Sequence, residues 1–210
     1  MPELSRTFRA RATEAIKLAR VGEIARAESR RGSETQRGLH HARLELLYEL
    51  AFLRVFLAWE TFLEASFLRY LCGYSSSVGG AVVLPGRRFY STITQAEHAV
   101  VGRRRFVLWH DPDRVVDRSN QFLQSSPVAT VVQSYAGQLK RIAAIRHRIV
   151  HVQKDARQNF DEATMAIAGR RYRGGRAGAF LRDRDASAYP PARWLETLTD
   201  ELQNLAVQIA

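Results

Sequence analysis

The chain has 210 residues, a formal net charge of +11 and a single cysteine, Cys72. Its length and its 46% hydrophobic content suffice for one well-buried core, so we expect a single domain spanning residues 1–210. The single cysteine excludes an intrachain disulfide, the chain start lacks an apolar signal core, and the positive charge favours a polyanionic partner, so we expect a cytoplasmic protein.

The first predicted element is a polar helix over residues 5–31 with a modest apolar stripe. It is followed by a linker at residues 32–38, which contains two glycines and a serine. The stripe consists of Phe8, Ala12, Ile16, Ala19 and Ile24. We interpret this helix as a solvated arm or as a strap between two copies of the chain, and the helix and linker together make up an N-terminal region of residues 1–38.

The longest helical signal covers residues 39–72. Its leucines and phenylalanines occupy every face of the helix, which predicts that the helix is buried on most sides. Charged residues interrupt every window long enough to span a membrane, so we expect no membrane partner. The carboxylates fall on one stripe about 100° wide, formed by Glu45, Glu49, Glu60 and Glu64.

Residues 73–113 break the helical pattern and are predicted to form an irregular insertion between bundle helices. The insertion carries the basic triplet Arg103, Arg104 and Arg105, with Tyr90 and Trp109 near it in the sequence. Arginines for phosphates and rings for bases are what a surface for single-stranded RNA requires. The alternative is a solvated loop whose aromatic residues pack on the bundle.

Four helices are predicted after the insertion. They cover residues 114–124 (capped by Asp113), 128–151, 155–168 and 192–209. The basic segment at residues 169–176 contains three glycines and is predicted to be flexible, where it either contacts RNA or stays in solvent.

The second of these helices, at residues 128–151, ends with the sequence Arg146-His147-Arg148-Ile149-Val150-His151. Arg146 lies about 40° from Ile142 on the apolar face, whereas His147 and His151 lie together on roughly the opposite side. A charged arginine on a core face needs an acidic partner or a polar cleft. Glu60 is the best candidate partner, either in a structural ion pair or as a residue that orients Arg146 in a site.

An arginine followed by four residues and a histidine at the end of an apolar helix resembles the motif of the HEPN superfamily. The helix Phe56-Leu57-Ala58-Trp59-Glu60-Thr61-Phe62-Leu63-Glu64, the stretch at residues 152–160 and Gly178-Ala179-Phe180-Leu181-Arg182 are similar to its RiboL-PSP-HEPN branch, as is the last helix with Trp194. The resemblance spans residues 45–210. One position departs from the pattern, because many family members have asparagine where this chain has His147.

The resemblance implies an all-α, HEPN-like antiparallel helical bundle and a metal-independent endoribonuclease. It implies Arg146 and His151 as catalytic residues, with His147 as a supporting residue, and the carboxylate stripe adds Glu60 to the supporting residues. RNA contacts are expected from Arg103, Arg104, Arg105 and Arg148. We find no spaced set of metal ligands and expect neither a metal nor another cofactor.

The resemblance further implies a toxin or antiphage-defence effector that acts as a homodimer, with a cognate antitoxin such as a nucleotidyltransferase-like protein. Two alternatives stay open. One is a HEPN-type module that binds RNA or a protein without turnover. The other is a structural or interaction protein in which Arg146 belongs to a core ion pair.

Overall fold

A computed structural model describes residues 1–102 and 107–210. The predicted RNA contacts Arg103, Arg104 and Arg105 lie outside the described residues. Within the described ranges, no helix combines the length and the apolar character needed to cross a membrane.

Helices account for most of the described chain. They are α1 (Pro2–Glu28), α2 (Glu34–Gly38), α3 (His41–Leu71), α4 (Ile93–Val101), α5 (Pro112–Asn120), α6 (Pro127–Ser134), α7 (Ala136–Val150), α8 (Lys154–Ala168), α9 (Ala177–Arg182) and α10 (Trp194–Ile209). Two short antiparallel strand pairs accompany them: β1 (Val82–Val83) with β2 (Leu123–Ser125), and β3 (Arg184–Asp185) with β4 (Ala192–Arg193). A 3-10 turn at Arg173–Gly175 precedes α9. The prediction of an all-α helical bundle is confirmed.

The described residues form two units, and both draw on segments that are distant in the sequence. The first contains Met1–Arg9, Trp59–Lys140 and Leu202–Ala210, and the second contains Ala10–Ala58 and Arg141–Glu201. The single domain expected from the chain length stays a prediction.

Aromatic residues build the core of the first unit. Phe8 of α1 packs against Trp59 and Phe62 of α3, with ring centroids 5.9 and 5.8 Å apart. Trp109 packs on Phe67 at 5.6 Å and is only 7% exposed. For Trp109, the structure therefore agrees with the alternative in which the aromatic residues of the insertion pack on the bundle, because its ring is buried against α3.

In the second unit, Phe180 of α9 lies at the centre of an aromatic cluster. Its ring stacks on Trp194 at 5.6 Å and meets the edge of Phe160 at 6.2 Å. These three residues are separated widely in the sequence, and their burial joins α8, α9 and α10. The three helices pack together because each has an apolar face that is buried against the others.

The N-terminal helix is not a solvated arm. Phe8, Ala12 and Ala19 of its predicted stripe are buried, so α1 is part of both cores. Ile24, which the periodicity placed on the same stripe, is 53% exposed. The predicted linker holds α2, because the Ser33 side chain accepts a hydrogen bond from the Gln36 N–H and caps a short helix there.

Helix α3 has one exposed side up to Thr61, whereas no residue from Phe62 to Leu71 is exposed. Leu50 and Leu57 are 51% and 63% exposed, and they lie about 180° from buried Phe52 and Val55 when averaged around the helix. The predicted burial on most sides therefore holds for the C-terminal part of α3 and overstates the burial of its N-terminal part.

Three boundaries differ from the sequence prediction for local reasons. The predicted helix at residues 128–151 is two helices, α6 and α7, because the chain leaves helical geometry at Tyr135, between the weak helix formers Ser134 and Gly137. Asp111, not Asp113, caps α5, and its carboxylate accepts from the Asp113 and Arg114 N–H groups. The insertion also holds α4, which begins at the capping residue Thr92.

Candidate functional site

The end of α7 brings two histidine rings together. The His151 N–H donates to the His147 carbonyl at 2.9 Å, so helical spacing extends one residue past Val150. Residues four apart on a helix face the same side. The two ring centroids are accordingly 4.4 Å apart, and both side chains are half-buried. The predicted juxtaposition of His147 and His151 is present.

Arg146 precedes this pair and is half-buried. Its guanidinium forms no hydrogen bond or ion pair with another described residue. The acidic partner predicted for it is absent from the described part of the chain. A half-buried guanidinium keeps access to water, so it needs no counter-charge. This leaves its donors available to a ligand.

Glu60, the predicted partner of Arg146, has a different one. Its Oε1 lies 3.2 Å from Nδ1 of His110, and both side chains belong to the first unit. The structure thus gives Glu60 a partner other than the predicted one, and its pairing with Arg146 stays a prediction. A catalytic support role for Glu60 stays a prediction.

Arg148, the predicted RNA contact, ties the end of α7 to the 3-10 turn. Its Nε donates to the Gly175 carbonyl at 2.9 Å and its Nη1 to the His151 carbonyl at 3.1 Å, while Nη2 is 3.4 Å from the Gly174 carbonyl. Gly175 has φ +65°, and a Cβ there would lie 2.8 Å from Nε of Arg148. Only glycine admits this approach without displacement.

This tie was not evident from the sequence, although the Gly174-Gly175 pair was a signal of close backbone approach. All three guanidinium nitrogens of Arg148 donate hydrogen bonds to backbone carbonyl groups, so Arg148 stabilises the 3-10 turn against the end of α7. An additional contact with RNA stays a prediction.

Two members of the carboxylate stripe of α3, Glu45 and Glu49, have partners within the second unit. Glu45 forms a paired salt bridge with Arg176, in which Nε lies 3.0 Å from Oε2. Glu49 accepts from the Gly178 N–H at 2.8 Å. Burial raises the pKa of Glu49, and the neighbouring charge of Glu45 adds to this, while the Gly178 N–H and the charge of Arg148 oppose it.

The segment at residues 169–176, predicted to be flexible, is held at three points. Arg148 binds its glycine carbonyls, and Arg176 binds Glu45. Arg170 bonds to Asp183 and lies over the Tyr172 ring, 5.1 Å from its centroid. The segment is therefore fixed in place by contacts within the second unit.

No family model, no curated protein and no solved structure matches the chain. Chemical interpretation consequently rests on the residues themselves and on the resemblance stated above.

The end of α7 offers two kinds of chemistry. Imidazoles exchange protons near neutral pH, and a guanidinium binds phosphate oxygens through a planar fork of donors. Among the residues that the structure describes, no group of three histidine, cysteine or carboxylate side chains could hold a metal ion. The arrangement is suited to proton transfer beside a bound phosphate.

Proposed function

We propose that this chain is a metal-independent endoribonuclease of HEPN type. The observation that carries the proposal is the contact between the rings of His147 and His151 at the end of α7, the helix that also presents Arg146 without a partner among the described residues. Cleavage of a phosphodiester needs groups that exchange protons and a cation that can hold the phosphate, and the end of α7 carries both. The net charge of +11 supports a polyanionic substrate.

In the proposed reaction, His151 removes the proton from a 2′-hydroxyl of RNA, and the 2′-oxygen attacks the adjacent phosphorus. Arg146 holds the non-bridging oxygens as charge builds on the pentacoordinate phosphate. The bond from phosphorus to the 5′-oxygen breaks, and the leaving oxygen takes a proton, for which His147 is the nearest candidate donor. The products are a 2′,3′-cyclic phosphate and a 5′-hydroxyl.

Because the nucleophile belongs to the substrate, cleavage is expected to continue in excess EDTA and to leave matched DNA intact. The rate should fall with added salt, which screens phosphate contacts. Gel analysis with mass spectrometry of the ends checks this. Cleavage of DNA, or activity lost in EDTA and restored by Mg²⁺, would contradict the mechanism. Salt-dependent binding without turnover would indicate the RNA-binding module instead.

The active species is proposed to be a homodimer. Arg146 and His151 lie about 140° apart around α7, which is unfavourable for one phosphate held by a single copy. A two-fold axis would place the same patch from both copies in one cleft, so that each phosphate meets residues of both. Light scattering should therefore show a dimer, whereas a monodisperse and fully active monomer would refute this arrangement.

The biological setting is proposed from the resemblance alone. A toxin or antiphage-defence effector, held inactive by an antitoxin such as a nucleotidyltransferase-like protein, fits a ribonuclease that must be controlled.

A further inference from the structure

The outer face of α8 borders a groove that the proposed mechanism does not use. The groove has a volume of about 400 Å³. This lies within the roughly 300–1,000 Å³ range of small-molecule sites. Its lining residues are Lys154, Arg157, Gln158, Asp161, Glu162 and Arg171. Five of the six belong to one face of α8, opposite the side that buries Phe160.

Charge changes sign along this face. Lys154 and Arg157 belong to the first turn of α8, whereas Asp161 and Glu162 come two turns later. Lys154 and Glu162 are separated by about 12 Å along the helix axis. A groove that only follows a phosphate backbone would not carry two carboxylates at one end, since they repel phosphate.

The end near Lys154 favours an anion for two reasons. Lys154 and Arg171 form no ion pair with other described residues. The N-cap residue of α8, Gln153, makes no side-chain cap, so the first-turn N–H groups and the helix dipole also attract negative charge. Asp155 lies in the same turn, but about 100° around the helix from Lys154 and outside the lining.

The other end is rich in acceptors. Gln158 donates its amide N–H to Oε1 of Glu162 at 3.1 Å. This leaves Oε2 of Glu162 and the amide oxygen of Gln158 without a partner among the described residues. Asp161 is 3.9 Å from Arg157, which is a weak ion pair. Acceptors in this position suit a ligand that presents N–H groups.

The groove adjoins the candidate site. Lys154 follows His151 by three residues. The Arg157 side chain lies against Gly175, because a Cβ built on Gly175 would be 3.3 Å from Cγ of Arg157. Gly175 is the residue that Arg148 ties to the end of α7. A strand leaving the histidine pair would therefore meet the basic end of the groove first.

We propose that the groove binds one nucleotide of the RNA strand, with its phosphate at Lys154 and Arg171 and a guanine base at Glu162. Guanine presents two adjacent N–H donors, on N1 and N2, which one carboxylate accepts together, whereas adenine presents one amino group on that edge. The RNA strand as ligand rests on the proposed function, while the preference for guanine rests on the groove alone.

The test titrates the full chain with the four ribonucleoside 5′-monophosphates in a calorimeter. GMP should bind about tenfold or more tightly than AMP. Glu162→Gln should remove this preference by weakening GMP alone, and Lys154→Ala should weaken all four nucleotides alike. Glu97→Gln, a change at an exposed carboxylate of α4, is the control and should alter nothing. Equal binding of all four nucleotides, or a preference unchanged in Glu162→Gln, would overturn the proposal.

A second arm distinguishes a strand from a free nucleotide. A 2′-O-methyl RNA oligonucleotide, which lacks the nucleophile, should be displaced by GMP, and its binding should fall when its guanines are replaced by adenines. Failure of GMP to compete would mean that the groove takes free nucleotides and would overturn its assignment to the RNA strand. Neither arm requires cleavage, so loss of the ribonuclease proposal would leave the guanine result standing, and the reverse also holds.

Discussion

Replacing His151 with alanine is expected to lower the rate of RNA cleavage by about 10²–10⁴-fold, the usual contribution of a positioned acid or base. Arg146→Ala should cost about 10²–10³-fold, because the phosphate then loses its charged donor. Arg146→Lys keeps the charge but not the planar fork, so its activity should lie between those of wild type and alanine. Initial rates on an unstructured RNA measure all three.

These losses should not come from unfolding. Arg146 has no ion pair among the described residues, so Arg146→Ala should change the free energy of unfolding by no more than about 0.5 kcal/mol. His151→Ala removes one contacting ring pair, which is worth about 0.5–1.5 kcal/mol. His98→Ala, at an exposed histidine of α4, is the matched control and should keep full activity. Full activity in His151→Ala would show that the motif from Arg146 to His151 does not carry out the cleavage.

Gly178→Ala should destabilise the protein by about 3 kcal/mol, at the upper end of the usual cost of overpacking. A Cβ at this position would lie 2.7 Å from both the carbonyl carbon and the Cβ of Glu45, and closer still to the carbonyl oxygen. The obstructing atoms are mostly backbone atoms of α3, which cannot rotate away. The start of α9 would have to move, and the bond from the Gly178 N–H to Glu49 would lengthen.

Urea unfolding measures this change, and the melting temperature should fall by roughly 6–12 °C for a chain of this size. Gly137→Ala provides the control, because it lies in α7 and no atom lies within 4 Å of its added Cβ. Alanine is the better helix former, so Gly137→Ala should be neutral or stabilise by up to about 1 kcal/mol. Equal stability of the two variants would mean that α9 does not approach α3 as closely as described.

Local sequence signals predicted the elements that depend on neighbouring residues. The extents of α3 and α8, the helical character of the chain and the shared face of His147 and His151 all follow from helical periodicity. That periodicity is a property of the backbone and is the same in any surroundings. The short elements α4 and α9 and the pairing of the strands were missed, because their signals were capping residues and pairing partners rather than a repeated pattern. An extended piece at residues 81–84, where β1 lies, was indicated by the sequence alone.

The sequence alone therefore determined an all-α protein with a basic surface, two histidines on one helix face and a stripe of carboxylates on α3. Only the tertiary structure decided which charges meet. Glu45 pairs with Arg176, Glu49 with the Gly178 N–H, and Glu60 with His110, while Arg146 has no partner among the described residues. Periodicity fixes the angle of a residue around its own helix, but partner choice depends on how distant helices pack against one another, and that is set by contacts such as the close approach of Gly178 to α3.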